Sequence, residues 1–192
     1  SKDEVTELET GTNTDVLGGV HYKSDAHIYP QKFMQFIKAE LSKLNVTIHN
    51  RTLVEDFVIK NNTVTEILTD MGPFMTDEVV LATGSWSPNI AKKLNRSISI
   101  LPGKGYSFTL RDASKKPSIP AILCEGKVAV TPMSNDIRFG GTMEITHTND
   151  TKINQNRVQG IVNSINDFYP DLKIEMPKEK ETWYGFRPCT PS

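Results

Sequence analysis

Arg187 closes the aromatic stretch Trp183-Tyr184-Gly185-Phe186 and is held extended by Pro188. A guanidinium at the end of an aromatic strand is costly to place unless it meets an anion. Its planar pair of donors suits a carboxylate, with an internal Asp or Glu partner as the equal alternative. Arg138-Phe139-Gly140-Gly141-Thr142-Met143-Glu144 sets two glycines inside a strand pattern, the mark of a bulge or of close approach by a ligand or another backbone. A simple kink in the sheet explains it as well. Val79-Val80-Leu81-Ala82-Thr83-Gly84-Ser85-Trp86 is an apolar run ending in small residues, which either leave room for another group beside the backbone or make a tight strand-to-helix turn.

Acid–base, nucleophilic and metal chemistry find little support. The chain holds no Gly-x-Ser-x-Gly, no His-Glu-x-x-His and no Gly-x-x-x-x-Gly-Lys-Ser/Thr. His21, His27, His49 and His147 are scattered, and each alone reads as a surface or core-edge residue. His21 and His27 flank Asp25, but at a spacing that fits no metal rule. Cys124 and Cys189 form no Cys-x-x-Cys and read as reduced thiols. Gly103-Lys104-Gly105 lacks the third glycine of a dinucleotide fingerprint and runs on into strand-like residues. No catalytic residue and no metal site is expected.

The elements that must position these segments follow from periodicity. Helices are expected from Pro30, with Phe33, Phe36, Ile37, Leu41 and Leu44 on one face, over Ser87 to about Leu94, and over Asn154 to Phe168 with Val158, Ile161, Val162, Ile165 and Phe168 on one face. Residues 1–16 read as a loop or short helix. Strands are expected at Leu17–Tyr22, Val46–Ile48, Leu53–Ile59, Thr63–Leu68, Glu78–Ala82, Ile98–Leu101, Tyr106–Leu110, Ala121–Cys124, Val128–Thr131, Ile137–Thr142 and Glu181–Phe186. Turns fall at Asn61-Asn62 and over Asp70-Met71-Gly72-Pro73. Many strands with about three helices give an α+β fold around a mixed, largely antiparallel sheet.

Composition allows a real core but does not point to a function. Apolar residues are 37% of the 192, and the net charge is −1, which offers no basic footprint for nucleic acid. No apolar run is long enough to span a bilayer. Ser1 at the start, and an end at Thr190-Pro191-Ser192 just beyond a dense motif, suggest a single fragment, 1–192, of a longer protein.

Four motifs occur in order: Ala-Thr-Gly-Ser-Trp-Ser-Pro (82–88), Leu-Pro-Gly-Lys-Gly-Tyr-Ser (101–107), Arg-Phe-Gly-Gly-Thr-Met-Glu (138–144) and Gly-Phe-Arg-Pro-Cys-Thr-Pro (185–191). With Leu-Gly-Gly-Val (17–20) and Asp-Ala-His (25–27), the chain resembles the FAD-dependent D-amino acid oxidase, glycine oxidase and sarcosine oxidase superfamily, and within it the D-amino acid dehydrogenase small subunits. The resemblance runs from Leu17 onward. It implies the substrate domain of a flavoprotein, plus strands over about 46–84 that pack with an FAD domain. It also implies a Gly-x-Gly-x-x-Gly unit before this chain and a flavin-contacting segment after it.

Carried over residue by residue, the resemblance makes Arg187 the clamp on the substrate α-carboxylate and Met143 a wall of the substrate cavity. Tyr106 and the Lys104-Gly105 turn are weaker candidates for the cavity or its mouth. Val54 matches a backbone contact to the adenine of FAD, and Ala82, Thr83 and Gly84 match the stretch that passes the cofactor. His27 receives no role. The implied reaction is oxidation of an amino acid by hydride transfer from Cα to the flavin, which needs orientation more than an acid–base pair. Glycine, sarcosine or a 2-hydroxy acid as substrate, or a stand-alone ligand-binding module without flavin, are the alternatives. The partner expected is a small-molecule amino acid, in the cytoplasm, with peripheral contact to the inner membrane left open. The fragment is expected to be inactive alone, to keep little FAD, and to be prone to self-association.

Overall fold

A computed structural model of the protein describes residues 1–191. In chain order the elements are α1 (Lys2–Leu8), α2 (Pro30–Lys43), β1 (Val54–Lys60), β2 (Thr63–Thr69), β3 (Gly72–Met75), a 3₁₀ turn (Gly84–Trp86), α3 (Ser87–Lys93), β4 (Leu101–Leu110), β5 (Ala121–Leu123), β6 (Val128–Met133), β7 (Asp136–Ile145), α4 (Gln155–Phe168), a second 3₁₀ turn (Glu179–Glu181) and β8 (Trp183–Cys189). The fold is α+β with two antiparallel sheets. The chain divides into two compact units, Ser1–Tyr29 with Pro102–Arg187, and Pro30–Leu101 with the segment from Pro188.

The first unit is a five-stranded sheet in the order β5-β6-β7-β4-β8, with one face covered by α4. Asn154 caps α4 by accepting from the Arg157 amide at 3.4 Å. Val158, Ile161, Val162 and Ile165 recur at helical spacing and are all buried. They pack against Phe108, Val128, Val130, Ile137 and Phe139, the alternate residues of β4, β6 and β7. Each such side chain contributes about 1.5–3 kcal/mol when fully buried. Expected and observed helix agree here because the periodicity and its burial coincide. The additional helix, α1, begins with a capping box between Ser1 and Glu4.

The second unit holds α2, α3 and a three-stranded antiparallel meander, β1-β2-β3. Asn61 and Asn62, both at positive φ, turn β1 into β2. The next turn is shorter than expected. It occupies Asp70-Met71, and Gly72, at φ +111°, already opens β3. Pro73 sits within this strand at the sheet edge, where its missing N–H is tolerated.

Some expected strands are not strands. Leu17–Tyr22, Val46–Ile48 and Glu78–Ala82 are irregular, and of Ile98–Leu101 only Leu101 enters β4. An apolar run makes a strand only when a neighbour takes its backbone hydrogen bonds. Val80 is 89% exposed. The apolar stripe expected from Pro30 is likewise real in sequence and unburied in space, with Phe33 and Phe36 on α2 and Leu44 just beyond its end exposed.

Candidate functional site

A bulge in β7 decides which residues share a face. Lys104 pairs with Glu144 and Tyr106 with Gly141, so Thr142 and Met143 together oppose Gly105. Thr142 takes φ +51° and its amide bonds the Lys127 carbonyl at 3.1 Å. Before the bulge, Ile137 and Phe139 point to α4. After it the alternation flips, and Glu144 points to α4 while Met143, 45% exposed, joins Arg138 on the outer face. The two glycines of this segment have different reasons. A Cβ on Gly141 would lie 2.8 Å from the Lys127 carbonyl, whereas one on Gly140 would make ordinary contacts, at 3.6 Å to the Ser107 side chain and 3.8 Å to the Tyr106 carbonyl.

Strand β8 lies beside β4. Tyr184 and Phe186 share a face, with ring centroids 5.8 Å apart. Trp183 therefore shares the other face with Gly185, and strand alternation carries Arg187 there too. Gly185 is needed because the Trp183 ring lies across it: a Cβ would come within 2.2 Å of the ring. Arg138 stacks over Trp183 at 5.7 Å and donates to Ser107 Oγ at 3.2 Å. Arg138, Met143, Trp183 and Arg187 thus share the outer face of the sheet, where Arg138 and Trp183 are in contact. It offers guanidinium groups, an apolar side chain and an indole, which suits a small anion with an organic side chain.

A polar cluster backs the same end of the sheet on the α4 side. Tyr106, only 2% exposed, donates its hydroxyl to Glu144, which also accepts from Asn154 at 3.0 Å and lies 3.7 Å from Arg157. Burial, with the Glu144 bond adding to it, pushes the Tyr106 phenol well above its ordinary pKa. Tyr106 therefore lies behind the bulge, on the side of the sheet away from Met143. Lys104 is fully buried in β4, within that cluster, and does not form a turn. Glu144, Asp150, Asn154 and Arg157 were not singled out by sequence reasoning. The available signal was the alternation of Lys104 with Tyr106 and Phe108, which marks Lys104 as inward-facing.

In the second unit Val54 opens β1, half-buried and paired with Thr69. Ala82 and Thr83 are exposed, and Thr83 bonds Ser87 between hydroxyls at 3.0 Å. Gly84 takes φ +53°, and a Cβ there would meet nothing within 4 Å. Ser85 is buried, and its Oγ has no hydrogen-bond partner among the described residues. Open space beside a left-handed glycine, next to an orphaned hydroxyl, fits the approach of a polar group to this backbone.

Among the described residues no three His, Cys, Asp or Glu side chains gather to hold a metal, and no helix is long and apolar enough to cross a membrane. The His27 ring is tilted at 42° to that of Tyr29, with centroids 6.0 Å apart.

Known proteins resemble this chain in sequence and in fold. The chain is 26% identical, over its whole length, to a D-amino acid dehydrogenase of Helicobacter pylori, of which it covers 46%. It is 31% identical to a D-amino acid dehydrogenase of Allorhizobium ampelinum over 92% of the chain and 41% of that protein. The chain therefore spans less than half the length of these relatives. Among solved structures, glycine oxidase from Bacillus cereus superposes with a TM-score of 0.84 at 26% identity, over 98% of this chain and 51% of that one. L-Proline dehydrogenase from P. horikoshii matches in fold, with a TM-score of 0.83 at 20% identity, over the whole chain and 52% of that one. The family model for FAD dependent oxidoreductases (DAO) matches residues 1–192 from end to end, and the chain belongs to that family.

Proposed function

We propose that this chain is the substrate-binding part of an FAD enzyme that oxidises a D-amino acid. The observation that carries the proposal is the outer face of the first unit, where Arg187 and Met143 share one side of the sheet beside Trp183. Arg187 takes the substrate carboxylate through its two parallel N–H donors. Met143 walls the cavity beside the substrate side chain, and Tyr106 supports it from behind the bulge. Bound FAD would supply the acceptor for the Cα hydride. The amine enters neutral, so the chain's residues need only orient the substrate and exclude water.

Val54, Ala82, Thr83 and Gly84 are the residues of this chain that would lie along FAD. The phosphate-binding glycines are not among these 192 residues, and the chain by itself holds little flavin. Its exposed apolar residues favour self-association when it is expressed alone. We place the protein in the cytoplasm.

The test is anaerobic bleaching of the flavin in the longer protein by a panel of D- and L-amino acids. D-amino acids are expected to bleach it, and a flavin that none of them reduces overturns the proposal. A glycine- or sarcosine-oxidising enzyme is the second reading, favoured by the superposition on glycine oxidase. Faster bleaching by glycine or sarcosine than by any chiral amino acid would establish it.

A further inference from the structure

Lys104 is completely buried, although lysine is rarely so unless its ammonium is paired. Its Nζ lies 3.1 Å from Asp150 Oδ1, donates to the Lys152 carbonyl, and sits 4.9 Å from the centre of the Tyr184 ring and 5.6 Å from that of Tyr106. Asp150 is held in turn by the Thr146 hydroxyl at 3.0 Å and the Lys152 amide at 3.2 Å. One ammonium thus ties β4 to the 146–152 loop and to β8.

Stability alone gives no reason for a lysine here. Lys104 is buried while Asp150 is 36% exposed, and replacing both members of a buried pair by apolar side chains of similar volume is often as stable or more so. What the ammonium adds is direction, because its donors and the ring above it must all be satisfied at once. The element that gains most is β8. It is an edge strand whose sheet neighbour is β4, and Arg187 follows Tyr184 by three residues.

We propose that Lys104 is a positioning residue for substrate binding, whose ammonium beneath Tyr184 sets the course of β8 and thereby the aim of Arg187. This rests on Arg187 being the carboxylate clamp.

The test uses the longer flavoprotein, with D-alanine as substrate and propionate as a carboxylate probe read by the flavin difference spectrum. Lys104→Met is expected to raise the KM for D-alanine and the Kd for propionate on the order of ten-fold, with kcat and flavin content nearly unchanged. Tyr184→Leu should act in the same direction, and Tyr184→Phe, which keeps the ring, should restore tight binding. Unchanged propionate affinity in Lys104→Met or Tyr184→Leu at full flavin occupancy overturns the proposal. Arg187→Lys then shows which assumption failed. If it weakens propionate binding, Lys104 is merely structural, and if it does not, the carboxylate clamp itself is wrong.

Discussion

Replacing Arg187 with lysine keeps the charge and removes the planar two-bond geometry. Hydrogen bonds to charged groups contribute about 1.5–3 kcal/mol, so Arg187→Lys should weaken substrate binding by about ten- to a hundred-fold. Steady-state KM and flavin titration check this, and unchanged affinity would mean that Arg187 has only a structural role. The paired glycines allow a second test at the same scale. Gly141→Ala drives a methyl against the Lys127 carbonyl, so it should destabilise the fold by about 1–3 kcal/mol in thermal or urea unfolding. Gly140→Ala has room at 3.6 Å, so the protein should fold normally while the added methyl intrudes on the outer face and raises KM. Equal effects of the two substitutions on stability would contradict the assignment of one glycine to each face.

At the scale of elements, carboxylates anchor the ends of the strands and loops of the first unit. Asp136 accepts from the Asp112 amide and pairs with Arg111, Asp150 pairs with Lys104, and Asp171 pairs with Lys115 at 2.8 Å. Each carboxyl is held below the usual range by these partners, with the Asp112 amide leading for Asp136, Lys104 for Asp150 and Lys115 for Asp171. A lowered folded-state pKa means that the stabilisation is present above the unfolded value of about 3.9 and is lost as pH falls through the lowered one. The melting temperature should therefore drop below about pH 4, and Asp150→Asn should flatten part of that drop. A thermal melt series across that range, on wild type and variant, decides it.

At the scale of the molecule, the second unit carries apolar side chains that nothing in the described structure covers. Phe36 on α2 is 59% exposed, Leu44 in the turn just after it is 73% exposed, and Val80 lies in an irregular segment without a ladder partner. Patches of this kind favour association. Sedimentation velocity on the 192-residue chain alone should show species larger than its 21.5 kDa. Phe36→Glu should shift the distribution back toward monomer, and a monodisperse wild type at tens of micromolar would contradict the expectation.

Residue spacing by itself determined the helix α4 and its buried stripe, the β1–β2 hairpin, the strands of the larger sheet, and the motif order that identifies the family. These are short-range patterns: period, turn chemistry and small residues at close approaches all lie within a few positions of one another. Tertiary structure alone decided which faces those patterns serve. Nothing local announces that Thr142 and Met143 together oppose Gly105, yet that pairing sends Met143 outward and Glu144 inward. Lys104 reads as a turn residue until β4 runs through it and Asp150, far along the chain, meets its ammonium. The apolar runs at Glu78–Ala82 and on α2 show the converse limit. Hydrophobic sequence prepares a surface for burial, and whether it is buried depends on a neighbour that the segment itself does not encode.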